Sequence, residues 1–302
     1  MAKDDEGRVW LLPHSSGERR PRRGQTLCQW PEGNTHARKF LQVDAVALSS
    51  AGKSVRGKMG VWTEYEAPTH ALRVERIGRG PGFVHTPSTP VLHPEMNTDP
   101  WIFQPGFVWS ICRQPNPWRC PAQPGDIVLF GSSVASPHGD KDWVLDTVMV
   151  VKERLRGPSD PSLKEPYQEL VEPTLQALDA KPFLGQQYKP ETCFSFAPCK
   201  AATAGKAAFF ERPSINALLG ELTLMNSGKH PSPGHATTLA TCRADAGINE
   251  FWKKLASHVW NQGLLLGLRF DLPAINVLSA PSTTVARNDA KPLSKRKGRR
   301  AA

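Results

Sequence analysis

The chain has 302 residues and a net charge of +10, with 39% hydrophobic and 22% charged residues, values that are ordinary for a globular protein. This length accommodates one large domain or two modest ones, each with its own core. No apolar run approaches the roughly 20 residues that span a bilayer, and the first residues lack the apolar centre of a secretory signal. The sequence therefore predicts a cytoplasmic protein without a membrane span.

Residues 1–25 are polar and rich in Pro and Gly, which predicts a flexible N-terminal segment that contains only a short strand at residues 9–12. Residues 26–280 predict a globular α+β body, formed either as one unit or as two lobes at about 26–157 and 158–280. The chain contains 28 prolines, so its elements should be short and its loops many.

The middle of the chain contains the clearest strands. Residues 60–66 alternate as a strand does, with Trp62 and Glu64 on one face. Residues 125–131 and 143–151 are nearly continuously apolar, which is typical of strands buried on both faces. The segment between them has turn composition, so we expect a hairpin whose long connection is a candidate functional loop.

One helix is well supported by the pattern of apolar residues. Residues 248–262 place these residues on one helical face and end before Gly263, and residues 264–270 then predict a closing strand. Weaker patterns predict helices at about 165–178 and 214–225 and a strand at 192–200.

These elements together predict an α+β fold. We expect a curved, largely antiparallel sheet or partial barrel with packed helices and many loops. One sheet should hold the strands at 60–66, 125–131 and 143–151, and the helix at 248–262 should pack against it or against short strands of its own.

Positive charge is concentrated after this body. Residues 281–302 contain seven cations and one acid, a net charge of +6 that leaves +4 for the other 280 residues. The segment also lacks aromatic residues, which predicts a disordered basic tail that would bind a phosphate backbone. A tail that only raises solubility explains the same composition equally well.

Familiar catalytic signatures do not occur in the sequence. It contains no P-loop, no GxGxxG after a strand, no HExxH and no GxSxG. The six cysteines form no CxxC pair and are too few for a disulfide framework, so they predict reduced, partly buried thiols. The sequence names no metal and no cofactor.

A dense polar stretch at 96–114 supplies most of the candidate binding residues. It contains Asn97, Asp99, Arg113 and Gln114, side-chain types that bind base edges and phosphates. Because a proline follows Asp99, the same residues also have the chemistry of an Asx turn, and a purely structural role is an alternative.

A turn within this stretch would assemble its two ends. The Pro-Gly pair at 105–106 predicts that residues 101–103 fold back against residues 107–109. We then expect Asp99 to come level with Arg113, and both to lie beside the strand at 60–66 in one aromatic-walled pocket.

Two carboxylates outside this stretch are also candidates. Asp146 lies inside an apolar strand, where a charge is costly unless it is paired or hydrogen bonded. Either a buried arginine or backbone amides neutralise it, or it points into a pocket. Glu64 shares a strand face with Glu66, and the pair would either bind a metal, act in acid–base chemistry or face solvent.

The nine tryptophans are numerous for this length, and most should belong to the core. Trp62, Trp101 and Trp118 are set among polar residues and prolines. They are therefore the candidates to stack against a base.

The motifs resemble one family. The pattern W-x-E-x-E at 62–66, then NTDPWIF, SICRQ, GDIVLFGS and WVLDTVMVV, is similar to the bacterial nucleotide modification associated (Nmad) domains, and FAPCK, FERP and QGLLLGLRFDLP resemble its later blocks. The resemblance covers about residues 60–275 and implies a link to DNA base modification or to phage–host conflict. The strand that begins with GD also resembles PUA and ASCH-type modules, which bind modified bases or RNA.

The sequence thus predicts recognition or processing of a nucleotide or nucleic-acid base in a DNA-modification context. The candidate site comprises the base- or phosphate-binding residues Trp62, Asn97, Arg113 and Gln114 and the catalytic carboxylates Glu64, Asp99 and Asp146. One alternative is a metal-dependent hydrolase or transferase that acts on a nucleotide. Another is an interaction protein whose only contact with nucleic acid is its basic tail.

Overall fold

The computed structural model describes residues 7–14, 17–20, 37–65, 69–88, 100–103, 107–110, 122–135, 139, 141–154, 182–185, 193–203, 208–225 and 240–272. Of these residues 56% are in strands and 11% in helices, so this part of the chain is mostly β. The predicted partial barrel is confirmed in outline by one partially ring-like sheet, whereas the strands form two mixed sheets instead of a single largely antiparallel one. The helical share of the predicted α+β fold is smaller than expected, with two short helices among these residues.

The bounds of the elements are as follows. The strands are β1 (Arg8–Pro13), β2 (Arg38–Leu48), β3 (Ser54–Glu64), β4 (Thr69–Arg73), β5 (Phe83–Pro87), β6 (Phe107–Ser110), β7 (Ile127–Ala135), β8 (Lys141–Arg154), β9 (Pro182–Gly185), β10 (Ala197–Ala201), β11 (Leu222–Leu224), β12 (Ala240–Ala244) and β13 (Leu265–Asp271). The helices are α1 (Asn216–Leu219) and α2 (Ile248–Asn261).

The strands form two mixed sheets. The seven-stranded sheet has the order β11-β12-β1-β7-β8-β9-β6, in which β1 runs parallel to β7 and antiparallel to β12. The six-stranded sheet has the order β13-β10-β3-β2-β5-β4. Because β13 also pairs with β2, the strands β2, β3, β10 and β13 close into a ring.

The prediction that one sheet holds all three mid-chain strands is wrong. The strand predicted at 60–66 is the end of β3, whose ladder partners are β2 and β10. The strands predicted at 125–131 and 143–151 are β7 and β8, which belong to the other sheet. The apolar pattern predicts that a segment is a strand, but it does not predict which strands will flank it in a sheet.

The predicted hairpin of β7 and β8 is confirmed, but its long connection is not. The antiparallel ladder continues to the pair Ala135 and Lys141, so only residues 136–140 join the strands. The polar residues that looked like a loop are therefore largely part of the ladder.

Both sheets take strands from both halves of the body. β10 and β13 pair with β3 and β2, and β12 pairs with β1. The described strands from before and after residue 157 are therefore interleaved in both sheets, and the choice between one body and two lobes stays a prediction. The strand predicted at 9–12 is confirmed as β1, and it occupies an interior position of its sheet rather than a flexible segment. Residues 1–6 and 281–302 lie outside the described residues.

The central strands of the seven-stranded sheet, β1, β7 and β8, are buried on both faces over most of their length. On β1, Trp10 and Leu12 belong to a core cluster shared with the inward side chains of the ring, whereas Val9 and Leu11 belong to a second cluster. The second cluster also contains the apolar face of α2. This explains why β7 and β8 are apolar at nearly every position.

Asp126 fixes the start of β7 against β1. Its carboxylate accepts hydrogen bonds from Arg8 N at 2.9 Å, Trp10 Nε1 at 2.8 Å and Gln123 N at 2.9 Å. Three donors satisfy a buried carboxylate, which is only 3% exposed. The GD pair of the sequence thus has a structural role at this junction.

The helix predicted at 248–262 is confirmed as α2. Its buried residues are Ile248, Phe251, Trp252, Leu255, Ala256 and Val259. Trp252 Nε1 donates to the carbonyl oxygen of Phe194 at 3.0 Å, and Gly263 ends the helix with a φ of 72°. Within the described residues no helix is long and apolar enough to cross a membrane.

The weaker predictions have mixed outcomes. The helix predicted at 214–225 is only α1, because the chain turns at Gly220 and then joins the seven-stranded sheet as β11. The strand predicted at 192–200 is confirmed only for its last part, since β10 covers Ala197–Ala201. The helix predicted at 165–178 lies outside the described residues.

The cysteines of the described residues are free and buried. Burial raises the pKa of the Cys193 and Cys242 thiols to about 12 and raises that of Cys199 as well. These three thiols are therefore protonated near pH 7, and their free, buried state agrees with the prediction of reduced, partly buried thiols. Cys28, Cys112 and Cys120 lie outside the described residues.

Candidate functional site

Arg38, the first residue of β2, lies at the centre of a buried ion cluster. The ladder register places it opposite Glu64, the last residue of β3. Its Nη1 donates to Glu64 Oε2 at 2.9 Å, and its Nε donates to Asp146 Oδ2 at 2.8 Å. Since Glu64 belongs to one sheet and Asp146 to the other, this guanidinium links the two sheets.

Asp146 lies at a bulge in β8. Phe130 pairs with Thr147 and Gly131 pairs with Leu145, so Asp146 is the extra residue of the ladder. A bulge interrupts the alternation of a strand and re-aims a side chain. The position of this carboxylate is thus a consequence of local backbone geometry as well as of its sequence position.

Arg212 completes the cluster from the segment before α1. Its Nη1 donates to Asp146 Oδ1 at 3.2 Å and to Ser132 Oγ at 3.2 Å. Its guanidinium carbon lies 5.3 Å from the centroid of the Trp62 ring, and Trp62 Nε1 donates to the carbonyl oxygen of Phe210 at 3.0 Å. Arg212 therefore covers the indole face that was expected to stack against a base.

His14 lies beside Arg38 at the end of β1. Arg38 Nη2 donates to His14 Nδ1, which is also 3.8 Å from Glu64 Oε2. His14 therefore adds a ring nitrogen to the polar groups that surround the Arg38 guanidinium.

The cluster balances its charges. Burial disfavours the charged guanidinium of Arg38, but Asp146 and Glu64 outweigh this effect and hold the pKa of Arg38 above its usual range. Two arginines face two carboxylates, so no formal charge is left over among them. Balanced and hydrogen-bonded partners are the condition under which ions are tolerated in a protein interior. Of the alternatives offered for Asp146, the structure therefore shows the one in which a buried arginine pairs with it.

A groove of about 170 Å³ adjoins this cluster. Its lining residues are Glu75, Ile77, Gly80, Pro81, Phe209, Phe210 and Glu211. Phe210 precedes Arg212 by two residues and holds Trp62 through its carbonyl oxygen, so one wall of the groove continues directly into the ion cluster.

The opposite wall is the loop that follows β4, and two glutamates hold it in place. Glu18 Oε1 accepts from Gly82 N at 2.7 Å and from Phe83 N at 3.0 Å. Glu211 accepts from Arg79 N at 2.9 Å and from Arg79 Nε at 3.1 Å. Hydrogen bonds to two carboxylates therefore hold this loop in place. Ile77, which lines the groove, is 75% exposed.

Three of the seven predicted site residues come together in this region. Trp62, Glu64 and Asp146 all contact Arg38 or Arg212. Asn97, Asp99, Arg113 and Gln114 lie outside the described residues, as do Glu66 and Trp118. Their inclusion in one pocket stays a prediction.

The predicted fold-back of the polar stretch is confirmed for its apolar arms. Trp101 N donates to Val108 O at 2.7 Å, and Val108 N donates to Trp101 O at 2.8 Å. Trp101 is buried against Phe103, with ring centroids 5.3 Å apart, and is therefore part of the core instead of an open stacking surface.

Sequence reasoning missed both arginines of the cluster. Asp146 implied a buried cation, but the chain contains 38 Lys and Arg residues, and their spacing does not identify the partner. Arg38 had one usable signal, since it precedes an alternating apolar strand in phase with Phe40. Arg212 had none beyond its place in the FERP block.

Metal ligation has no support in the described part of the chain. It contains no group of three or more His, Cys, Asp or Glu residues arranged to hold a metal ion. Arg38 lies between Glu64 and Asp146 and occupies the position that a cation would take.

No protein-family model, no curated protein and no solved structure matches this chain. The resemblance to the Nmad domains accordingly remains a prediction from the motifs.

Proposed function

We propose that this protein recognises or processes a nucleotide or nucleic-acid base, and that the groove beside Arg212 receives the base. The observation that carries the proposal is the convergence of Trp62, Glu64 and Asp146. The sequence singled out these three residues independently, and they meet in an ion cluster that supports one wall of the groove.

The groove has the size and chemistry for one heterocyclic ring system. About 170 Å³ is well below the ~300–1,000 Å³ of sites that enclose drug-sized ligands. Phe209 and Pro81 offer flat apolar contacts. Glu75 and Glu211 offer carboxylate oxygens, which accept hydrogen bonds from the amino groups of bases.

Recognition has more support than metal-dependent hydrolysis. Both carboxylates of the ion cluster, Glu64 and Asp146, are engaged by Arg38, and a carboxylate held by a buried arginine is a poor general base or metal ligand. The DNA-modification context rests on the motif resemblance. The ring of β2, β3, β10 and β13 is compatible with the barrel expected for PUA and ASCH-type modules, and we include that finer fold assignment in the proposal.

Titration of a panel of nucleosides and mononucleotides into the protein, followed by calorimetry or NMR, tests the proposal. Phe209→Ala and Glu75→Gln should each weaken binding by about tenfold, a loss of roughly 1.4 kcal/mol. Glu250→Gln is the matched control, because Glu250 is an exposed residue of α2 that does not line the groove.

Two results would contradict the proposal. One is the absence of binding for every base in the panel. The other is binding that Phe209→Ala and Glu75→Gln leave unchanged, since the base would then lie elsewhere on the protein.

A further inference from the structure

The charged side chains that line the groove are carboxylates. Glu75 and Glu211 both belong to its lining, and the described residues that line it include no lysine or arginine. Glu211 pairs with Arg79 Nε at 3.1 Å. Glu75, in contrast, is exposed and forms no hydrogen bond or ion pair with another described residue. The Glu75 carboxylate is therefore available to a ligand in the groove.

The arginines of the loop that follows β4 do not cancel this negative charge, because carboxylates outside the groove neutralise them. Arg79 Nη1 donates to Asp142 Oδ2 at 2.6 Å. Arg76 pairs with Glu18. Together with the two lining glutamates, four carboxylates surround two arginines, and the exposed Arg73 at the end of β4 does not line the groove. The groove is thus locally acidic, although the whole chain has a net charge of +10.

Flat apolar side chains accompany the negative charge. Phe209 is half-buried, and Phe210 and Pro81 are buried. The ring centroids of Phe209 and Phe210 lie 6.0 Å and 5.5 Å from that of Phe40, which packs against both rings. The face of an aromatic ring attracts a cation, as a carboxylate does. The lining therefore complements a flat ligand that carries positive charge.

We propose that the groove prefers a positively charged base, of the kind that methylation of a ring nitrogen of adenine or cytosine produces. The inference rests on the proposed function and names the class of base. Such a base stacks on Phe209 and brings its charge beside Glu75. A volume of about 170 Å³ suits one ring system rather than a longer chain.

Two pairs of methylated nucleosides test this preference by calorimetry on the full chain. Near pH 7, 1-methyladenosine and 3-methylcytidine are cations, whereas N6-methyladenosine and 5-methylcytidine are neutral. Each pair contains the same heavy atoms and differs in the position of one methyl group and in charge. The cationic member should bind at least about fivefold more tightly at low salt, as expected for unit charges about 4 Å apart in water.

One variant separates the effect of charge from that of methyl position. Glu75→Gln should cost the cationic nucleosides at least about fivefold more affinity than their neutral isomers. Glu250→Gln is the matched control, because Glu250 is an exposed glutamate of α2 outside the groove, and it should keep the full preference. A preference that survives Glu75→Gln would come from the position of the methyl group and overturns the inference.

The unaltered protein provides a second measurement. Between about 0.01 M and 1 M salt the Debye length falls from about 30 Å to 3 Å, so the preference should shrink, and a constant preference overturns the inference. Equal affinity for both isomers overturns it and leaves the proposed function standing, whereas no binding of any base contradicts both. n-Butylammonium and n-butylguanidinium carry the charges of lysine and arginine side chains. If either binds as tightly as the cationic nucleosides, the groove belongs to a protein partner, and the inference is overturned.

Discussion

Asp146 is hydrogen bonded by two arginines that are distant in sequence, Arg38 at the start of β2 and Arg212 before α1. Its side chain is 2% exposed, so solvent screens these interactions very little. Removal of this carboxylate would leave two buried positive charges with only Glu64 to balance them. The stability of the protein should therefore depend strongly on this one residue.

Asp146→Ala should lower the free energy of unfolding by about 3–5 kcal/mol, the cost typical of breaking a buried ion pair on one side. Chemical denaturation measures this change. Asp44→Ala is the control, because Asp44 forms an exposed ion pair with Lys58 at 3.4 Å, and such pairs contribute only about 0–1 kcal/mol. A variant that unfolds like the parent protein but no longer binds a base would instead assign Asp146 to the binding site.

His85 should make the protein sensitive to mild acid. Its pKa is lowered to about 4 in the folded state, chiefly by burial and then by Lys39 and Arg19, whereas an unfolded histidine has a pKa of about 6.5. Between these values the unfolded chain binds a proton that the folded chain does not bind. Stability should therefore fall as the pH drops from about 6.5 to 4, by up to about 3 kcal/mol. Denaturant titrations across this range should show a smaller loss for His85→Gln, and an equal loss in both proteins would contradict this account.

At the scale of elements, the hairpin of β7 and β8 is closely packed at Gly131, where the bulge begins. A methyl group on Gly131 would overlap the indole ring of the buried Trp143 and the carbonyl oxygen of Val144. Neither neighbour is a flexible side-chain end, so the strand or the indole would have to move.

Gly131→Ala should therefore destabilise the protein by about 1–3 kcal/mol, as overpacking of a core typically does. The matched control is Gly220→Ala, whose φ of −66° any residue adopts and whose added carbon would lie 3.5 Å from Ala217 O. This control should be neutral or slightly stabilising, by about 0.4–1 kcal/mol. Thermal melting compares the two, and equal melting temperatures would show that the hairpin relaxes around the extra methyl group.

The elements that sequence predicted correctly are those whose signals are local. The apolar face of α2, its stop at Gly263 and the continuous apolar runs of β7 and β8 need no knowledge of distant partners. Sequence could not assign β3 to its sheet, because its partner β10 lies more than 130 residues further along the chain. The pairing of β1 between β7 and β12 is equally non-local.

In the candidate site, too, sequence predicted the residues that have local signals and missed those whose role depends on distant contacts. Asp146 was identifiable because a charge stands out in an apolar strand. Glu64 was identifiable because it shares a strand face with Glu66, and Trp62 because it is set among polar residues and prolines. The arginines that bind these carboxylates were not identifiable, since pairing depends on three-dimensional proximity alone.

At the scale of the whole molecule, one segment near the C-terminal end of the body joins both sheets. β12 enters the seven-stranded sheet beside β1, α2 packs on the shared core, and β13 closes the ring against β2 and β10. The segment formed by β12, α2 and β13 therefore connects the two sheets. Arg38 links them a second time through Glu64 and Asp146.

This arrangement imposes an order on folding during synthesis. When β1 and β2 leave the ribosome, their partners β12 and β13 have not yet been translated. The edge of each early strand that pairs with β12 or β13 therefore stays unpaired until those strands are synthesised. Pairings this distant form slowly and expose the nascent chain to aggregation. The protein should thus acquire its native structure only after residue 271 has emerged, in one late step that β12, α2 and β13 complete together.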